Sequence, residues 1–260
     1  MAFLSSINWD LFHILVACHI VTGAVGLFAF WVPVFAHKGG SRHVRIGKVF
    51  VLSMLLTGTV AMGISTTTLV WPLETHPKLD DIALVRGIFG WMMLYLAILT
   101  INLAWYGWQA GFHKRDHRKQ WEWRNLTLQV LVTVAAANCL YQGYMLQGWP
   151  TERVLMMGIS FVGFATVITN MHYLLRARPG VADWQLEHIK ALVGAGISVY
   201  TAFLAFGAVR LMPSMALNPL LWAVPLVTGV SIIVYQQQRV KRRYKPRKPK
   251  PVALDSAEIA

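Results

Sequence analysis

The chain has 260 residues, of which 56% are hydrophobic and only 13% are charged. A typical soluble domain has about 25% charged residues, so this composition excludes an ordinary soluble protein and is typical of an integral membrane protein. The formal net charge is +13, and the positions of the basic residues decide whether that charge marks a nucleic-acid surface or a membrane topology.

Uninterrupted runs without Asp, Glu, Lys or Arg define the predicted elements. Seven such runs follow one another, and each is close to the roughly 20 residues that an α-helix needs to cross a bilayer core. The first run is too long for the apolar part of a cleavable signal peptide and is assigned as the first span. The sequence therefore predicts an all-α fold, a polytopic integral membrane bundle of seven transmembrane helices. The runs are 11–37, 49–73, 87–113, 125–151, 154–175, 191–209 and 211–238.

The segments between the runs alternate in charge. Nearly all of the 24 lysine and arginine residues lie between the first and second runs, the third and fourth, the fifth and sixth, and after the seventh. By the positive-inside rule, this pattern predicts an N-terminus outside and a C-terminus in the cytoplasm, in a multi-pass protein of the cytoplasmic (inner) membrane. Because the charge follows topology, no nucleic-acid partner is predicted. The other connections hold only Lys78, Arg86, Arg153 and Arg210.

The chain divides into one domain and a tail. Residues 1–238 form the predicted seven-helix transmembrane domain. Residues 239–260 begin with the basic segment "RVKRRYKPRKPK", in which the alternation of Pro and Lys predicts a disordered cytoplasmic tail. Its cations are expected to attract anionic headgroups, which makes the lipid bilayer the first predicted partner.

The ionisable side chains that lie in or beside the apolar runs are histidines, and these histidines are the candidates for a functional role. Lipid disfavours ionisable groups, so those that remain inside a membrane bundle are functional candidates. A neutral imidazole offers one nitrogen to a metal while it donates a hydrogen bond from the other. For each candidate, a hydrogen-bonded packing role and a ligand role both remain open. The candidates are His19, His43, His172 and His188.

The positions of these histidines favour a haem or metal centre near the cytoplasmic ends of the helices. His43 follows the first turn, and His172 and His188 are equally far along the chain from Gly180, which marks a later turn. Imidazoles from different helices bind haem iron as axial ligands, so these three form the predicted ligand set for haem b, with copper or no cofactor as alternatives. His19 lies nearer the outer leaflet, too far away to share one iron.

Two blocks of sequence carry a family resemblance. They are "HIVTGAVGLFAF", followed by "HKGGSRHVRIGKVFVLSM", and "EHIKALVGAGISVYTAF". Together with an arginine entering the third run, they resemble the polytopic membrane proteins of domain-of-unknown-function family 2306. The resemblance implies a helical integral membrane protein and assigns no activity; Leu192 stands where the family tends to have methionine, which argues against methionine ligation. The resemblance marks His19, Gly26, His43, Gly47, Arg86 and His188.

Three functional classes remain open on the sequence alone. The first is an electron-transfer component that binds haem b or copper and exchanges electrons with a quinone or with other membrane subunits of a respiratory complex. The second is a small-solute transporter with His19 and Arg86 lining a polar path, although neither a deep carboxylate nor an internal repeat supports it. The third is a non-catalytic accessory or assembly subunit in which the histidines only pack. No motif for a specific enzymatic reaction is present.

Overall fold

The structure is a computed structural model that describes residues 2–114, 116–207 and 219–244. Within those residues every regular element is helical, which confirms the all-α prediction. One π-helical segment, Arg86–Met92, joins α4 to α5, a second, Phe203–Gly207, extends α8, and a 3₁₀ turn, His117–Gln120, precedes α6. The α-helices are α1 (Ala2–Phe35), α2 (Ser41–Val70), α3 (Pro72–Thr75), α4 (Ile82–Val85), α5 (Met93–His113), α6 (Trp123–Met145), α7 (Pro150–Leu174), α8 (Asp183–Ala202) and α9 (Pro219–Arg243).

Six helical stretches of the described residues are long and apolar enough to cross a membrane, so the chain is a multi-pass membrane protein. Each coincides with one of the first six predicted runs. α9 occupies the seventh run from Pro219 onward and continues to Arg243, whereas the rest of the predicted tail, from 245, lies outside the described residues. The six stretches are Asp10–Phe35, Ser41–Val70, Ile82–His113, Trp123–Met145, Pro150–Leu174 and Asp183–Ala205.

Two helices begin well before the apolar runs that predicted them. α2 begins at Ser41 rather than at residue 49, and α8 begins at Asp183 rather than at residue 191. Long charged side chains can reach the membrane surface while the helix backbone continues beneath them, so charge does not end a helix. The segment around His188, assigned from sequence to the start of a span, therefore lies in the second turn of a helix that begins earlier.

The two ends of the bundle differ in charge. The connections α1–α2, α5–α6 and α7–α8, together with the end of α9, carry most of the lysine and arginine residues; we call this the basic end. Because consecutive spans run in opposite directions, α3, α4 and the α6–α7 connection lie at the opposite end. The candidate histidines on α2 and α8 belong to the basic end.

The span that contains α5 is central in the bundle. In the most apolar stretch of this span, 50% of the residues are buried, whereas the corresponding stretch of α1 has 22% buried. Glycine allows close approach on both sides of α5: a Cβ at Gly58 of α2 would lie 3.1 Å from the carbonyl oxygen of Ala97, and a Cβ at Gly107 would lie 2.8 Å from Leu192 of α8. Close backbone contact of this kind favours helix association in a membrane, because apolar side chains gain little by moving from lipid into the bundle.

Hydrogen bonds between helices supplement this packing. Tyr95 of α5 is 1% exposed, and its hydroxyl donates to the carbonyl oxygen of Ile159 on α7 at 2.8 Å. Between α1 and α8, Trp31 Nε1 donates to Tyr200 Oη at 2.6 Å, and that hydroxyl donates to the carbonyl oxygen of Leu27 at 2.8 Å. The buried hydroxyl of Tyr95 and the half-buried side chains of Trp31 and Tyr200 are therefore hydrogen-bonded within the bundle, as lipid requires.

At the opposite end, Asp81 joins two connections. Its Oδ1 accepts the backbone N–H groups of Ala83 at 2.8 Å and Leu84 at 3.1 Å, which caps α4. Its Oδ2 accepts from Trp149 Nε1 at 2.8 Å, on the α6–α7 connection. The indole hydrogen bond, together with the backbone hydrogen bonds, favours the carboxylate and holds the pKa of Asp81 below its ordinary value.

We expect Asp81→Asn to lower the thermal midpoint of the detergent-solubilised protein by a few degrees at neutral pH. A carboxyl whose pKa is depressed by folding contributes stability above its unfolded-state pKa and loses it as the pH falls through the folded value. The wild-type midpoint should therefore drop below about pH 4, and the midpoint of the variant should drop less. Trp149→Phe should weaken the same dependence of the thermal midpoint on acid pH. If the wild type and both variants had identical profiles of thermal midpoint against pH, the Asp81–Trp149 hydrogen bond would not contribute to stability.

Candidate functional site

His43 is held by the end of the preceding helix. α1 ends at Phe35, and the carbonyls of its last turn have no partner within the helix. The chain then turns back through Gly39, whose φ of 80° is one that glycine adopts readily, and α2 starts at Ser41. In this first turn His43 donates from Nδ1 to the carbonyl oxygen of Pro33 at 3.1 Å.

The same helix end holds an ammonium group. Lys38 Nζ donates to the carbonyl oxygens of Pro33 at 2.8 Å and Val34 at 2.6 Å, where a cation complements the dipole of α1. Burial, and then repulsion by Arg239, lowers the pKa of Lys38. One carbonyl, that of Pro33, thus accepts from both Lys38 and His43.

His188 lies in the second turn of α8 and is held by α5. Its Nδ1 donates to the carbonyl oxygen of Gly107 at 2.8 Å. Gly111, one turn further along α5, has no side chain where the ring lies, and a Cβ there would be 2.6 Å from Nδ1. The backbone of α5 therefore packs directly against the imidazole, and a larger residue at position 111 would displace it.

The two rings form a pair between α2 and α8. The ring centroids of His43 and His188 are 6.3 Å apart, and the ring planes are inclined at 53°. A carbonyl oxygen only accepts hydrogen bonds, so in the neutral rings the proton is on Nδ1 and Nε2 keeps a lone pair. Neither Nε2 has a hydrogen-bond partner among the described residues. A carbonyl on the second nitrogen is the arrangement that orients metal-ligating histidines.

The separation of the rings suits two ligands on opposite sides of one metal. An imidazole nitrogen lies about 2.0–2.1 Å from a bound metal, and the ring centre lies roughly 1 Å behind it, so two collinear ligands have centres roughly 6 Å apart. Gly47 lies one turn after His43 and has no side chain to fill the space on that part of α2. A Cβ at position 47 would have Pro33 Cγ as its nearest neighbour, at 3.9 Å. The separation of the His43 and His188 rings therefore matches that of two imidazoles that share one metal.

The other two candidate histidines lie elsewhere. His172 has an exposed side chain on α7, and within the described part of the chain no three His, Cys, Asp or Glu side chains converge. The structure thus brings together two members of the predicted three-histidine set. His19 lies about 21 Å before Pro33 along α1, at 1.5 Å per residue, and its Nδ1 is 3.3 Å from the carbonyl oxygen of Thr57.

The remaining positions marked by the family resemblance serve packing and helix ends. A Cβ at Gly26 would collide with the methyl group of Met54 on α2, so the glycine makes room for that side chain. Arg86 lies at the opposite end of the bundle, where its Nε donates to the carbonyl oxygen of Leu69 at 3.2 Å. It is about 30 Å along the helix from Gly107, and so it lies far from the histidine pair.

A partly buried ion pair beside His188 was not predicted. Glu187 accepts from Tyr106 Oη at 2.8 Å and from Lys190 Nζ at 2.5 Å, and Lys190 also donates to Thr169 Oγ1 at 3.1 Å. The uncharged run begins only at residue 191, so the charge pattern placed these residues at the very start of the sixth span and gave no reason to pair them. The available signal was the i, i+3 spacing of Glu187 and Lys190, which puts opposite charges on one helix face.

A group of buried carboxamides was also not predicted, because uncharged amides do not interrupt an apolar run. They meet between α5, α6, α7 and the 3₁₀ turn, and we call them the amide cluster. A spacing of four residues between two of them on α6 places both on one face and was the signal available in the sequence. The amide cluster consists of Asn102, Gln120, Asn125, Gln129 and Asn170.

Comparisons with known proteins assign no function to this chain. No protein-family model, no curated protein and no solved structure matches the chain. The resemblance to family 2306 therefore stays a prediction.

Proposed function

We propose that this protein is a membrane-bound electron-transfer component and that its residues His43 and His188 would hold haem b. The observation that carries the proposal is the pair itself: two imidazoles on different helices, with centroids 6.3 Å apart. Each is held through Nδ1 by a carbonyl, and each keeps Nε2 without a partner among the described residues. When bound, haem supplies one-electron redox chemistry.

The number of donors favours haem over a bare metal ion. Two imidazoles from the protein would suffice to hold haem, because the macrocycle supplies the other nitrogens to the iron. Zinc sites take three or four protein ligands, and copper sites commonly add a thiolate or a thioether. Copper held by the two imidazoles alone is the second candidate, and its absorption spectrum would distinguish it from haem.

The surrounding residues have defined tasks in this proposal. The carbonyls of Pro33 and Gly107 fix the orientation and tautomer of the two rings. Haem carries two carboxylates, and the basic end supplies cations close to His43 that would offset their charge. These cations are Lys38, Arg42, Arg45 and Lys48.

The proposal includes the topology. α9 is the seventh span, the N-terminus is outside, and the basic end lies in the cytoplasm beneath the cytoplasmic (inner) membrane. The segregation of lysine and arginine to alternate connections supports this orientation. The pair then lies on the cytoplasmic side, where it would exchange electrons with a quinone in the bilayer or with another membrane subunit of a respiratory complex.

Absorption spectroscopy and metal analysis of freshly purified protein test the proposal. In protein from haem-sufficient cells we expect a Soret band, visible bands that change on reduction, and iron in an amount equal to the protein. If the protein contained copper and showed no Soret band, copper held by the two imidazoles would be the better assignment. A folded preparation that is colourless and free of metal would reject both, and a non-catalytic accessory or assembly subunit would then be the better description.

A further inference from the structure

The amide cluster lies inside the basic half of the bundle and is separate from the histidine pair. Gln129 is 3% exposed, and the other four side chains are 0% exposed. A carboxamide carries two N–H donors and an acceptor oxygen, and it cannot escape burial by changing its protonation state. Placing five of them in a membrane interior is costly unless their hydrogen bonds are made.

The cluster is organised as a directional chain around Gln129. Asn170 Nδ2 donates to Gln129 Oε1 at 3.2 Å, and Gln129 Nε2 donates to Asn102 Oδ1 at 2.7 Å. A weaker branch runs from Gln129 Nε2 to Asn125 Oδ1 at 3.5 Å, and Asn125 Nδ2 donates to the carbonyl oxygen of Gln120 at 3.0 Å. The chain therefore extends from the 3₁₀ turn at the basic end into the space between α5, α6 and α7.

The chain is open at its ends. Among the described residues, no partner bonds Asn102 Nδ2 or Asn170 Oδ1. Exchanging the amide nitrogen and oxygen of Asn102, Gln129 and Asn170 together would reverse the direction of these hydrogen bonds. One donor and one acceptor would still have no partner. The cluster thus calls for a ligand that both accepts and donates hydrogen bonds.

We propose that the amide cluster is a binding site for water, with ordered molecules on Asn102 and Asn170. Water is the smallest ligand that satisfies an open donor and an open acceptor, and buried waters in proteins typically bind polar groups of this kind. Gln129 lies about 9 Å inside the start of α6, and Asn102 about 16 Å inside the end of α5, so the proposed water lies between the helices and not at their ends.

Cysteine accessibility tests the hydration in the membrane. In a Cys18→Ala, Cys139→Ala background, Asn102→Cys is compared with Ala104→Cys, an equally buried position (0% exposed) two residues further along α5 among apolar side chains. The probe is a small cationic methanethiosulfonate, which reacts with thiolate and so requires water at the sulfur. We expect the Asn102→Cys variant to react at least about tenfold faster. Equal rates at the two positions would overturn the proposal.

A high-resolution density map of the unmodified protein gives a second measurement that does not depend on any variant folding. We expect a water peak within hydrogen-bond distance of the open atom of Asn102 or Asn170. A map in which those atoms bond to other protein groups, or in which a larger molecule occupies the space, would overturn the assignment to water.

Discussion

Replacing either His43 or His188 by alanine should cause near-complete loss of the Soret absorption and of the iron in the purified protein. Each variant removes one of two imidazoles that approach from different helices, and the partner ring alone offers iron a single axial nitrogen. The two losses should be similar in size, because each ring is held in the same way, by one carbonyl on Nδ1. Absorption spectra of the oxidised and reduced proteins, normalised to protein concentration, measure the effect.

His172→Ala is the matched control for these two variants. His172 was predicted from sequence as a third ligand, yet its side chain is exposed on α7, so its removal should leave the spectrum and the iron content unchanged. Thermal midpoints of all three variants, measured in the same detergent, separate loss of haem from loss of fold. A full Soret band in His43→Ala or His188→Ala, or its disappearance in His172→Ala, would remove the basis for the proposed ligands.

Gly163→Ala should destabilise the bundle by about 1–3 kcal/mol, as overpacking a dense core does. The added Cβ would lie 2.8 Å from Tyr95 Oη and 3.0 Å from the Cβ of Ala136, where α5, α6 and α7 meet. Tyr95 cannot easily yield, because it is 1% exposed and its hydroxyl is bonded to the carbonyl oxygen of Ile159. The free energy of unfolding in mixed micelles, followed by helical circular dichroism, measures the effect.

Gly158→Ala on the same helix provides the comparison. No atom lies within 4 Å of a Cβ at this position, and the residue is exposed. Alanine is the better helix former, so this variant should be neutral or more stable by up to about 1 kcal/mol. If both variants changed stability equally, close approach at Gly163 would not be a source of stability.

The helical membrane fold could be predicted from the sequence because apolar length is a local property. Six predicted runs correspond to six membrane-length helices. The starts of α2 and α8 could not be found in that way, since both helices begin in charged segments. The chain beyond Ser41 and beyond Asp183 stays helical because long side chains carry their charges to the membrane surface.

The site could be predicted in part. His43 and His188 were singled out because ionisable groups are rare in lipid, but their pairing depends on which faces of α2 and α8 meet, and that is decided by glycines of α5 such as Gly107 and Gly111. His172 illustrates the difficulty, since a similar depth on a neighbouring helix did not direct its ring inward. The amide cluster was missed because a polar side chain without a charge, such as Asn102, does not interrupt an apolar run.

The ring pair also has a consequence for biogenesis. The first hairpin, with the ring of α2 already bonded to the carbonyl of Pro33, enters the bilayer long before the ribosome has made α8. The second ring arrives only with the sixth membrane-crossing stretch, so a molecule that bridges both can bind only a nearly finished chain. If the proposed haem binds there, mass action would stabilise completed copies over truncated or misassembled ones, and its insertion would come last in maturation.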